Sequence, residues 1–269
     1  MNAIKQNIPN FITCLNLLSG VVGIALVASS GLNNLEFELH LACYCVFAAA
    51  IFDFLDGLIA RLLKVQSKIG KDLDSLADVV SFGVLPSMIL FNIMVTLSNE
   101  NLGGHGYEYI NLLTFMVPVF AAVRLARFNN DPEQSYNFKG LPVPAAGLVI
   151  TSLCLYILYF GEVYFDFVGA KAENVYSLPR YDRFFPKLYT SPIFLGTLPV
   201  LVSALMVSKL KLIAFKLNNF SFKKYIWHVI LLILCIISAI VCGFASAPII
   251  LILYIIISQI HFRTKRHEI

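Results

Sequence analysis

The chain has 269 residues, 58% of them hydrophobic and only 13% charged, with a formal net charge of +4 and a mean hydropathy of +0.78. A soluble domain is about 45–50% apolar and about 25% charged, so this composition excludes an ordinary water-soluble enzyme and a disordered chain alike. With so few charges, the expected environment is membrane lipid and not nucleic acid.

A helix needs about 20 apolar residues to cross a bilayer. Eight stretches reach or approach that length, near 9–30, 39–63, 72–97, 109–128, 143–161, 191–208, 225–243 and 246–262. The expected fold is therefore all-α, a single transmembrane helical bundle spanning 1–269, with scaffold spans at about 190–262. The first stretch ends in small residues, Ala28-Ser29-Ser30, as a cleaved signal does. Its apolar run is too long for that and carries Asn10, Thr13 and Asn16 in its first turns, so it reads as a span. The second and third stretches carry Asp53, Asp56, Asp74 and Asp78, the fourth ends with Arg124 and Arg127, and Lys139 follows in the next connection. The longest connection, 162–190, is polar and aromatic and reads as a surface loop. The last three spans hold almost no ionisable residues and look like lipid-facing scaffold or a homodimer surface. Lys223, Lys224, Tyr225 and Trp227 form an interfacial belt at the start of the seventh span.

Lysine and arginine fix an orientation. With the N-terminus in the cytoplasm, Lys5, Arg61, Lys64, Lys68, Lys71, Arg124, Arg127, Lys139, Lys209, Lys211, Lys216, Lys223, Lys224, Arg263, Lys265 and Arg266 all lie inside, 16 of the 20 basic residues. Lys171, Arg180, Arg183 and Lys187 share the 162–190 loop with Glu162, Asp166, Glu173 and Asp182. The positive-inside rule then places both termini in the cytoplasm. The six cysteines show no C-x-x-C spacing and read as small apolar residues. The five histidines are scattered near span ends and form no metal-ligand pattern.

The aspartates carry the chemistry. Asp53, Asp56, Gly57, Ala60 and Arg61 spell D-x-x-D-G-x-x-A-R, and eight residues later Gly70, Asp74 and Asp78 spell G-x-x-x-D-x-x-x-D. Carboxylates in a membrane helix are costly and mark function. Spacings of three and four put each pair on one helix face. Two such faces opposed make a pocket of four carboxylates, which calls for divalent cations. The pocket should open to the cytoplasm, because the connection at Arg61–Lys71 is cytoplasmic. Gly57, and in part Ala60, leave room for a ligand. Arg61 offers a fork to phosphate oxygens, and Ser67 a nearby hydroxyl. Two divalent ions can clamp both oxygens of an in-line displacement at phosphorus, here on a pyrophosphate that loses a nucleotide monophosphate. Asp78, last in the pattern, is placed to take the proton of the attacking hydroxyl. A proton or sodium transporter is the alternative use of intramembrane aspartates, but it does not account for Gly57, Ala60, Arg61 and Gly70.

At all eight motif positions the chain resembles the CDP-alcohol phosphatidyltransferase family, and within it the membrane-integral, serine-using branch. P-N-F-I-T-C-L-N-L-L-S-G (Pro9 to Gly20) resembles that branch's first helix, and D-S-L-A-D-V-V-S-F-G-V-L-P (Asp74 to Pro86) its second half-motif. R-L-A-R-F-N (Arg124 to Asn129) and F-K-G-L-P-V-P-A-A-G (Phe138 to Gly147) resemble a further stretch typical of it. The resemblance covers about 1–150. It implies transfer of the phosphatidyl group of CDP-diacylglycerol to L-serine in a cytoplasmic membrane, with two ions of magnesium or manganese as cofactors held by Asp53, Asp56, Asp74 and Asp78. Asp53 and Asp74 would touch both ions, Asp56 one and Asp78 the other, with Asp78 also the base. It further implies that Gly57, Arg61 and Ser67 contact the CDP-lipid, together with Asn10 and Thr13. Arg124, Arg127 and Lys139 are the expected partners of the serine carboxylate, with Ser81 and Asn129 as further hydrogen-bonding candidates. Glycerol 3-phosphate, inositol phosphate or choline are the alternative acceptors.

Overall fold

The computed structural model describes residues 2–30, 35–65, 68–101, 109–130, 138–169, 188–213 and 222–266. Helices α1 (Asn2–Ser29) and α2 (Leu35–Leu63) are followed by α3 (Lys68–Asp78), α4 (Leu85–Asn101) and α5 (Met116–Asn130). Then come α6 (Val143–Gly169), α7 (Pro192–Val207), α8 (Phe222–Cys242) and α9 (Ala247–Arg266). Among the described residues, five helices are long and apolar enough to cross a membrane: Asn7–Ser29, Phe37–Leu63, Ile69–Leu97, Ile110–Asn130 and Ala247–Thr264. Val143–Tyr159, Pro192–Val207 and Val229–Cys242 are shorter apolar helices. The expected 162–190 loop begins later than the sequence suggests, since α6 continues to Gly169, and residues 170–187 lie outside the described residues.

The third span is the axis of the bundle. It is 56% buried, while the other four long spans are 33% buried or less. It is also not one regular helix: between Asp78 and Leu85 the backbone widens into a π-helical turn, Val79–Val84. Such wide turns are rare and mostly serve functional sites. Here small residues hold it. A Cβ on Gly147 would stand 2.7 Å from the Phe82 carbonyl oxygen and 2.8 Å from its Cα. A Cβ on Gly83 would stand 3.1 Å from Pro118 Cα, and one on Gly20 would stand 3.0 Å from Ser81 Cα. Three helices, α1, α5 and α6, thus close on the wide turn at backbone contact distance, and small residues at such interfaces are what allow membrane helices to pack this tightly. Phe82, Leu85, Ile89 and Leu90 lie in the core with Ala42, Val46 and Ala49 of α2 and Ala146, Ile150 and Leu153 of α6. All six cysteines are free, as their spacing suggests.

One feature has no counterpart in the sequence reading. Phe138–Lys139 (β1) and Lys211–Leu212 (β2) form a two-stranded antiparallel ribbon, with Phe138 opposite Leu212 and Lys139 opposite Lys211. It joins the connection before α6 to the connection after α7.

Candidate active site

The last turns of α2 bring Asp53 and Asp56 to face Asp74 on α3. One carboxylate oxygen from each of these three residues lies within 4.8 Å of the others. Asp56 is buried, and Asp53 and Asp74 are half-buried. Asp78 stands one turn past Asp74, where the helix widens, and is only 6% exposed. It lies in electrostatic range of Asp53, Asp74 and Asp56, and of the guanidinium of Arg124. Its Oδ1 is buried and makes no hydrogen bond. A buried acceptor left without a partner is costly, and several like charges this close need a cation between them.

The donor set is entirely carboxylate oxygen, the ligand type that magnesium and manganese prefer. The unsatisfied Oδ1 of Asp78 beside three converging carboxylates therefore fits bound divalent metal. Among the described residues the three converging ligands are all aspartates, with no sulfur or imidazole in the group.

Thr13 of α1 touches the cluster directly. Its hydroxyl lies 2.6 Å from Asp56 Oδ2 and 3.1 Å from the Pro9 carbonyl. A hydroxyl has one proton to give, and the shorter, charge-assisted bond to the carboxylate takes it. Asn10, one turn earlier, is half-buried. A Cβ built on Gly57 meets nothing within 4 Å, so open space adjoins the cluster on that side. Ala60 is half-buried beside it, and Arg61 is exposed with Nε donating to the Gly57 carbonyl at 2.9 Å. Ser67 lies outside the described residues.

The three basic residues of the fourth connection separate. Arg124 is 7% exposed, with its guanidinium carbon 5.8 Å from the centroid of the Phe128 ring and its Nε unbonded. Arg127 is exposed. The spacing of three suggests a shared face, yet three residues leave about 60° of rotation and 4.5 Å of rise between them. That rotation turns Arg127 to the exposed side of α5, with Val123 and Ala126. Lys139 sits in β1, where only its backbone is described.

Two further candidates act as fasteners. Ser81 Oγ donates to the Asn16 carbonyl at 3.0 Å, and Asn129 Nδ2 donates to Ser75 Oγ at 2.9 Å. With Lys71 Nζ donating to the Asn129 carbonyl at 3.2 Å, the end of α5 is tied to α3 beside the aspartates. The sequence reading missed Lys71 and Ser75 in this role. It also gave no site role to Asn16, a fully buried residue whose amide nitrogen and oxygen both lack partners. Its spacing of three from Thr13 was the available signal.

With this geometry, the chain belongs to the CDP-alcohol phosphatidyltransferase family, whose model matches residues 6–172. It is an enzyme of phosphotransfer and of phospholipid synthesis, which decides against ion transport as the use of the aspartates. A CDP-diacylglycerol–serine O-phosphatidyltransferase of Helicobacter pylori J99 is 32% identical over 227 residues, covering 83% of this chain and 79% of that protein. The Bacillus subtilis protein of the same name is 32% identical over 154 residues, 57% of this chain and 75% of that protein. An archaetidylserine synthase of Methanothermobacter thermautotrophicus is 34% identical over 152 residues, 55% of this chain and 58% of that protein. The apolar helices and these relatives mark an integral membrane protein.

Proposed function

We propose that this enzyme joins CDP-diacylglycerol and L-serine to give phosphatidylserine and CMP, at the cytoplasmic face of the membrane. The observation that carries the reading is a buried cation, Arg124, set beside the acidic cluster at Asp78. Serine brings a carboxylate into a site already rich in carboxylates, so its binding needs a fixed positive partner. An arginine buried next to the cluster meets that need, and choline, itself a cation, would leave it unused. The relatives support the same acceptor: their names differ in the lipid and agree on serine.

Two bound divalent ions, magnesium or manganese, would be held by Asp53, Asp56, Asp74 and Asp78 and would supply charge neutralisation at the pyrophosphate. The residues of the chain do the rest. Asp78 takes the proton of the serine hydroxyl on the part of its carboxylate left free of metal. The serine oxygen forms a bond to the phosphorus next to the diacylglycerol, the bond to the CMP oxygen breaks, and CMP leaves. Thr13 holds Asp56 in register. The open space at Gly57 and Ala60 admits the pyrophosphate, with Arg61 and Ser67 on its phosphate oxygens and Asn10 towards the nucleotide. Transfer is direct, because the site has no Ser–His or Cys–His pair to form a phosphatidyl-enzyme. In this reading the three shorter apolar helices also lie in the bilayer, giving eight spans with both termini in the cytoplasm.

The test is the kinetics of Arg124→Gln. Losing one charge-assisted bond to the carboxylate should raise the serine KM about 10- to 150-fold, with the KM for CDP-diacylglycerol changed far less. Arg127→Gln, at an exposed site, should have the smaller effect. An unchanged serine KM in the Arg124 variant would place the carboxylate elsewhere.

A further inference from the structure

The family match ends at residue 172, and by sequence the last spans look like scaffold. The hydrogen bonds of α9 tie it to the connection after α7. Tyr254 donates its phenolic proton to the Ile213 carbonyl at 2.9 Å, and Ser258 Oγ accepts from the Ile213 amide at 3.3 Å. Gln259 Nε2 donates to the Lys211 carbonyl at 3.0 Å. Tyr254 and Ser258 are four residues apart and so share one helix face. These side chains fasten Lys211–Ile213, the segment that contains β2. That segment pairs through Lys211 and Leu212 with Lys139 and Phe138.

The chain of contacts continues into the fourth connection. The Gly140 amide donates to the Leu210 carbonyl at 2.9 Å, and the Leu141 amide to the Leu205 carbonyl at 3.0 Å. Gly140 has φ +78°, and a Cβ there would run into the backbone of Met206. A two-residue ladder has no stability of its own, and unsatisfied backbone groups are costly near the membrane. The ribbon therefore persists because α9 completes its outer edge. Tyr254 also lies in electrostatic range of Arg124. One residue of the last helix is thus bonded to the segment that forms the ribbon with Lys139, and it lies in electrostatic range of the buried arginine next to Asp78.

We propose that Tyr254, with Ser258, is a positioning residue for the amino-acid acceptor: through the ribbon that it fastens it sets how tightly serine is held, without touching the reacting atoms. This rests on the reading of Arg124 as the partner of the serine carboxylate. The experiment uses the full chain in lipid nanodiscs and compares Y254F, S258A, R124Q and the Y254F/R124Q pair. Tyr254→Phe keeps the ring and loses one neutral hydrogen bond, so the serine KM should rise about two- to twelve-fold. The KM for CDP-diacylglycerol and kcat should stay at their wild-type values, which a general loss of packing would not allow. In the R124Q background, Y254F should add nothing further to the serine KM, since the two act on one contact. If Y254F proves too unstable to assay, S258A carries the same expectation. The proposal is overturned if R124Q raises the serine KM while neither Y254F nor S258A does, if both KM values rise together, or if the effects multiply in the pair. An R124Q enzyme with wild-type serine KM would instead remove the serine-carboxylate reading itself, and the positioning role with it.

Discussion

Thr13 and Asp56 stand 43 residues apart in sequence and are joined by a 2.6 Å hydrogen bond that pins the first helix to the acidic cluster. Sequence reasoning assigns Thr13 to the CDP-lipid. Its position in the structure makes it a holder of a carboxylate. A charge-assisted bond of this kind contributes about 1.5–3 kcal/mol. Thr13→Val keeps the shape and loses the donor, so kcat/KM should fall about 10- to 150-fold, while Thr13→Ser should retain most activity. Steady-state kinetics of the two variants decide this, and a Val variant as active as wild type would remove the role.

The acidic cluster should be indispensable. Replacing Asp53 or Asp74 by Asn keeps the size and removes the charge, leaving a poorer ligand for a divalent ion. Turnover should drop below detection in either variant, and wild-type turnover should vanish in excess EDTA and return with added magnesium or manganese. Substantial CMP release by either variant, or in EDTA, would contradict the metal-dependent reading.

Direct transfer makes a separate expectation. Without serine, radiolabelled CMP should not exchange into CDP-diacylglycerol, because the aspartate motif offers no Ser–His or Cys–His pair to hold the phosphatidyl group. Rapid exchange in the absence of acceptor would reveal a covalent intermediate.

Which parts of this were legible in the sequence follows from which contacts are local. The aspartate spacings of three and four are properties of one helix each, and they correctly place Asp53, Asp56 and Asp74 in one cluster. The wide turn after Asp78 is not local: it depends on Gly147 meeting Phe82 and Gly83 meeting Pro118 across helices. The ribbon is likewise invisible, since two residues carry no alternation to detect. The differing burial of Arg124 and Arg127 depends on which side of α5 packs against its neighbours, which spacing alone does not tell. Hydropathy found eight apolar stretches but not their helical extents, and three of them are shorter helices among the described residues.

Topology can be read chemically. The bias of 16 among 20 basic residues predicts that Lys68 and Lys216 face the cytoplasm and Lys171 faces out. In a background free of the six native cysteines, single cysteines at these positions should react with an impermeant thiol reagent on intact cells only at position 171. Labelling at 68 but not at 171 would reverse the orientation.

The most direct measurement is CMP release by the purified enzyme from CDP-diacylglycerol, with each acceptor supplied in turn: L-serine, glycerol 3-phosphate, inositol phosphate and choline. The expected result is release that needs a divalent ion and L-serine, with phosphatidylserine as the lipid product. A clear preference for glycerol 3-phosphate, inositol phosphate or choline would contradict the serine assignment and leave only the family's chemistry standing.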